Sequence, residues 1–210
     1  MRSYWVAAIA FSMALGAGSA AAADMLTVVI SDFAGTPHDI LVSAAKEGRH
    51  AFHSAGIDTD WIFCDPTRDC LAPDDSLQVR ILPRPIASTP VTALGLAATI
   101  RCSAGAHCST SYIFYNRVIR FTDDTATPVD LTLGYVMAHE IGHLLGLEHR
   151  PGGIMAAAFS AQDLQRAASG WLFFAHDDVR RLHSSVARSH LAGNAMHRVR
   201  LTASRATVAE

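Results

Sequence analysis

The sequence predicts an α+β domain whose sheet is at least partly parallel. Three observations carry this. The apolar, β-branched run from Met25 to Ser31 is followed by a helical stretch and then a second strand-like run, and that order places a helix across parallel neighbours. A later helix, expected over about 128–146, is apolar nearly all round its circumference, so it should be buried against the sheet rather than lie on the surface. The chain has 210 residues, half of them apolar, which suits one domain with a sizeable core.

The elements follow in order. Arg2, the apolar stretch Trp5 to Leu15 and the small residues Ser19 to Ala23 read as an export signal over 1–23, cleaved after Ala23. The folded domain then covers 24–190, and the Arg-bearing tail 191–210 is expected to be disordered. After the first strand, Thr36-Pro37-His38-Asp39 reads as a capping box with Pro at the first helical position, opening a helix to about His53. Strands are expected over Asp60 to Cys64, Leu77 to Leu82, Ala93 to Arg101 and Ser111 to Phe121. Pro83, Pro85 and Pro90 enforce an irregular segment before the fourth of the five strands. Thr127-Pro128-Val129-Asp130 repeats the capping signal ahead of the apolar helix. Ser160-Ala161-Gln162-Asp163 opens a short helix to about Ala168, broken by Gly170. Trp171 to Phe174 reads as an apolar plug, and a last helix should cover Asp177 to about Ser189.

Charge and cysteines bound the partners and the compartment. A formal net charge of −2 lacks the basic face a nucleic-acid partner needs. No segment after the signal is long and apolar enough to span a bilayer, so no membrane partner is expected once the signal is removed. Export to a secreted or periplasmic destination favours disulfides between the four cysteines. Four cysteines allow three connectivities; the two local loops, Cys64–Cys70 and Cys102–Cys108, are favoured because short turn-rich loops close easily. The sequence leaves the oligomeric state open.

The chemistry concentrates in His139-Glu140-Ile141-Gly142-His143-Leu144-Leu145-Gly146-Leu147-Glu148-His149. Histidines four apart on a helix share one face, so His139 and His143 point two imidazoles at one spot. Glu140 leans to the side, where it reaches a metal-bound water without being a ligand. Gly146 takes positive φ cheaply and ends the helix, so His149 can fold back as a third ligand. Three protein ligands on zinc leave the fourth tetrahedral position for water, the catalytic arrangement. Glu140 is then the general base of a peptide hydrolysis by direct water attack. A non-catalytic zinc-bearing binding module stands as the alternative.

His139 to His149, followed by Gly153-Ile154-Met155, resembles the metzincin clan of zinc endopeptidases and is closest in wording to its matrixin branch. The resemblance covers about residues 134–155. It implies one catalytic Zn2+ on His139, His143 and His149, with Glu140 as base and a peptide or protein as substrate. It implies that Met155 sits in a tight turn beneath the metal. It also implies a twisted, mostly parallel five-stranded sheet above a cleft, an active-site helix, the Met-turn and a C-terminal helix. An extended peptide would align along the antiparallel edge strand, and Tyr112, Phe114 and Arg117 mark the candidate edge. Two departures stand out. Arg150 follows the third histidine, where the well-known branches carry other residues, which leaves the subfamily open. Ala157 stands where some branches place a metal-proximal tyrosine. The sequence offers no lone cysteine to cap the metal, so latency by a cysteine switch is not expected.

The remaining histidines invite over-reading. His176, His183, His190 and His197 recur every seven residues, and His50 and His53 lie one turn apart. A solvated helix face explains both.

Overall fold

The computed structural model describes residues 25–67, 73, 76–101 and 107–189. The expected signal over 1–23 and tail over 191–210 lie outside the described residues, as do Cys70, Cys102, His190 and His197. The described elements run β1 (Met25–Asp32), α1 (His38–His53), β2 (Asp58–Cys64), β3 (Leu77–Leu82), β4 (Gly95–Arg101), β5 (His107–Phe114), α2 (Tyr115–Thr125), α3 (Val129–Leu144), α4 (Ala161–Ala168) and a final helix α5 over 176–189. No helix among the described residues is long and apolar enough to cross a membrane.

The five strands form one sheet in the order β2-β1-β3-β5-β4. All neighbours are parallel except β4, which pairs with β5 antiparallel from Gly95↔Ile113 to Arg101↔His107. The fold is thus α+β, with the mostly parallel five-stranded sheet that the resemblance implies. Parallel strands buried on both faces read as continuous apolar runs, and Val28, Val29 and Ile30 of β1 are buried in succession.

The sheet is backed by α1 and α3. Helix α1 buries Leu41, Ala44, Ala45, Gly48, Ala51 and Phe52, a stripe at three- and four-residue spacing. Helix α3 is buried over its whole length from Leu131 to Gly142, as its all-round apolar composition requires. The two helices touch backbone to backbone: a Cβ on Gly134 would lie 2.5 Å from the Ala44 carbonyl oxygen and 2.6 Å from Glu47 Cβ. Any side chain there would push α3 off α1 and move whatever α3 carries.

Three expectations are corrected. The segment Ser111 to Phe121 is not one strand: β5 ends at Phe114 and residues from Tyr115 form α2. The pattern from Tyr115 is helical, with Val118 and Thr122 buried one turn apart. Second, the threonine capping boxes at Thr36 and Thr127 do not form, and Pro37 and Pro128 are themselves the N-caps. The Thr36 amide donates instead to Asp32 Oδ2 at 2.7 Å, and Thr127 Oγ1 pairs with the Thr125 and Thr132 hydroxyls. Only Ser160 closes a true box, with Asp163. Third, the plug is half a plug: Leu172 and Phe174 are buried, whereas Trp171 and Phe173 alternate outward. Cys64, at the end of β2, is disulfide-bonded; the connectivity falls outside the described residues.

Candidate active site and metal centre

Helix α3 carries His139 and His143 on one face, with their Nε2 atoms 3.1 Å apart. The helix stops as anticipated. Gly146 adopts φ +87°, its amide donates to the His143 carbonyl, and the Leu147 amide donates back to the Gly142 carbonyl at 2.9 Å. The chain then doubles back and places His149 Nε2 3.1 Å from His143 Nε2. Among the described residues these three form the one group of ligand-type side chains that converges, with all ligand atoms within 4.8 Å of one another.

The far side of each ring decides which nitrogen faces the centre. His139 Nδ1 lies 2.7 Å from the Ile154 carbonyl oxygen, and His143 Nδ1 lies 2.8 Å from the Leu147 carbonyl oxygen. A carbonyl only accepts, so both Nδ1 atoms carry the proton and both Nε2 atoms present lone pairs. The short Nε2–Nε2 distances are therefore not hydrogen bonds between these two rings. They are converging donors, complementary to a cation. Two nitrogens bound tetrahedrally at zinc distances lie about 3.3 Å apart, close to what is seen. Burial draws His139 down to about 4 and lowers His143 too, partly offset by the carbonyl each ring faces. Neutral imidazole is the ligand form.

Met155 lies in the turn that follows. Gly153 adopts φ +77°, the Arg150 amide donates to the Met155 carbonyl at 2.8 Å, and the Ile154 amide donates to the Phe173 carbonyl. Met155 is fully buried, and its sulfur packs so closely on α3 that a Cβ on Gly142 would meet it at 2.6 Å. The turn thus supplies an apolar floor through Met155 and orients His139 through the Ile154 carbonyl. Arg150 has a clear role as well. Its Nε donates to Asp178 Oδ1 of α5 at 2.8 Å, with Asp178 only 1% exposed. The residue after the third histidine is thereby tied to the C-terminal helix.

Glu140 is also buried, and burial pushes its carboxyl up to about 8. A divalent cation held by the adjacent histidines would pull that value back down. The carboxylate rests against the backbone of β4: a Cβ on Gly95 would lie 2.6 Å from Glu140 Oε1. Sequence reading missed Gly95, since nothing local announces a contact between a strand glycine and a distant helix.

A continuous cleft of about 1010 Å³ opens on His139, Glu140, His143 and His149. One side is the run Leu94 to Ala98 of β4 and its approach. This corrects the expected edge. Tyr112 and Phe114 sit on β5, which is covered by β3 on one side and β4 on the other, and Arg117 belongs to α2. The antiparallel edge is β4. Ala157 lines the cleft and offers no hydroxyl to it. Among the described residues the other histidines stay apart: His183 Nε2 faces the Ala55 carbonyl, and His53 pairs with Asp58 at the surface.

The family model of the matrixins matches residues 91–183, from just ahead of β4 into α5, and so spans the ligand set, the Met-turn and the cleft. Over these residues the chain is similar to the matrixins, a match that covers less than half of its length. No curated protein matches the chain. A solved structure, metalloproteinase-II from Bacteroides fragilis, is similar at 14% identity with a TM-score of 0.48; the match covers 77% of this chain and 53% of that one, so the chain spans about half of that protein's length. The domain's histidine set and the matrixin match agree on a zinc-type metal centre.

Proposed function

We propose that the chain is an exported zinc endopeptidase that cleaves peptide bonds within an extended substrate, with Glu140 as general base. The observation that carries this reading is the pairing of three convergent imidazoles with a buried carboxylate in one open cleft. His139, His143 and His149 would hold the ion. Zinc bound there supplies Lewis acidity and lowers the pKa of water to about 7.

The chain's own residues do the rest. The outer edge of β4 takes an extended peptide as an added strand, using main-chain groups that no described strand covers. Glu140 accepts a proton from the attacking water and delivers it to the leaving amine. Met155 and the carbonyls of Ile154 and Leu147 keep the rings fixed, so the ligands need not reorganise during turnover. The export signal read over 1–23 and the loops proposed for Cys64–Cys70 and Cys102–Cys108 suit a secreted or periplasmic enzyme acting on peptides or proteins, without nucleic-acid or membrane partners.

The test is a peptide-library digest by zinc-loaded protein, with and without chelator, alongside Glu140→Ala. The substitution should keep the metal and lose turnover by roughly 10²–10⁴-fold. Full metal occupancy with no cleavage of any peptide by the unaltered chain would instead support a non-catalytic zinc-bearing module.

A further inference from the structure

Helix α2 lines the cleft that opens on the histidines. Asn116, Arg117, Arg120, Phe121 and Asp124 all line it, at the spacing that puts them on one helical face. The two arginines differ in what they do. Arg117 spends its guanidinium on the backbone, with Nη1 donating to the Pro90 carbonyl at 2.5 Å and the Ala93 carbonyl at 2.6 Å. That clamp holds the approach to β4 two residues before Gly95, the residue that touches Glu140. Arg120, one turn further along α2, is exposed and makes no ion pair with any described carboxylate, Asp124 included. A free guanidinium in the lining of an open cleft suits a group that carries negative charge.

We propose that the cleft selects peptides bearing an Asp or Glu side chain within about two residues of the cleaved bond, held by Arg120; this rests on the endopeptidase reading above. A peptide added to β4 advances about 3.3 Å per residue. Gly95 touches Glu140, and Arg120 lines the same cleft, so a side chain leaving the peptide near Gly95 enters the space that α2 borders. Arg120 presents five donors in a planar fork that matches a carboxylate.

The experiment uses the full chain loaded with zinc and a synthetic peptide library in which Glu, Gln and Lys replace one another at each position. Cleavage is read by mass spectrometry and then as kcat/KM on matched peptides. Glu should exceed Gln roughly tenfold at one position near the cleaved bond, the size of one charge-assisted hydrogen bond at a half-open site. Arg120→Lys should keep the order, and Arg120→Glu should invert it in favour of Lys. A cleaved library with no acidic preference, a preference for Lys in the unaltered chain, or an unchanged Glu-to-Gln ratio in Arg120→Glu would overturn the assignment while leaving the endopeptidase reading intact. A zinc-loaded chain that cleaves nothing in the library would overturn both.

Discussion

Gly95→Ala is the most informative single change the structure suggests, because it perturbs Glu140 without touching it in sequence. The added Cβ would stand 2.6 Å from Glu140 Oε1, 2.8 Å from Cγ and 2.9 Å from Cδ. Ordinary contact begins near 3.4 Å, so the carboxylate must move by about 0.8 Å. Three atoms of the side chain are involved, so a twist of the terminal oxygen alone does not relieve the clash. His139 and His143 keep their carbonyl partners. A displacement near 1 Å of a catalytic group costs on the order of 10²-fold. The variant should therefore bind zinc at full stoichiometry, melt within a few degrees of the parent, and lose about two orders of magnitude in kcat/KM. The assay pairs metal analysis with initial rates on a quenched peptide. Near-parental kcat/KM in a folded, zinc-loaded Gly95→Ala would refute the argument that β4 positions the base.

Further outcomes can be stated together. Gly142→Ala drives a methyl into the Met155 sulfur, which packs at 2.6 Å from that position, and overpacking of this kind costs about 1–3 kcal/mol; chemical denaturation reads it. Arg150→Ala leaves Asp178 buried and without its cation, a change that costs about 3–5 kcal/mol when the partner is a buried charge; a double cycle with Asp178→Asn should recover part of the loss. In the metal-free chain, Glu140 is raised from 4.5 to about 8 and His139 is lowered from 6.5 to about 4. Between pH 4.5 and 8 the folded chain keeps a proton on Glu140 that the unfolded chain has released, so that contribution falls as pH rises. His139 works oppositely from pH 4 to 6.5, which leaves a net fall between pH 6.5 and 8. Melting curves taken in chelator should show that fall, and Glu140→Gln should remove it.

How much was legible beforehand depended on the range of the interaction. The ligand set could be read because its geometry is local: two histidines one helical turn apart, a glycine that ends the helix, a third histidine three residues on. Strands β1 and β3 could be read because apolar and β-branched residues mark them within a single window. Helix α2 is marked by Tyr115, Val118, Ile119 and Thr122, which recur at helical spacing, but it follows β5 without a break and so shares one apolar run with it. The threonine boxes failed because a nearby carboxylate at Asp32 and a cluster of hydroxyls outcompeted the helix ends for the same groups. Strand order, the identity of the free edge, the Gly95–Glu140 contact and the Arg150–Asp178 pair all join residues remote in sequence. No local pattern encodes them, which is why the sequence does not distinguish β5 from the true edge β4.

The account turns on three imidazole nitrogens holding one ion. X-ray absorption at the zinc edge of the metal-loaded chain, with His149→Ala for comparison, measures this most directly. Three nitrogen scatterers of histidine type at about 2.0–2.1 Å plus one oxygen neighbour is the expected result, with one ion per chain and a nitrogen lost in the variant. Sulfur in the shell, or a spectrum that His149→Ala leaves unchanged, would contradict it.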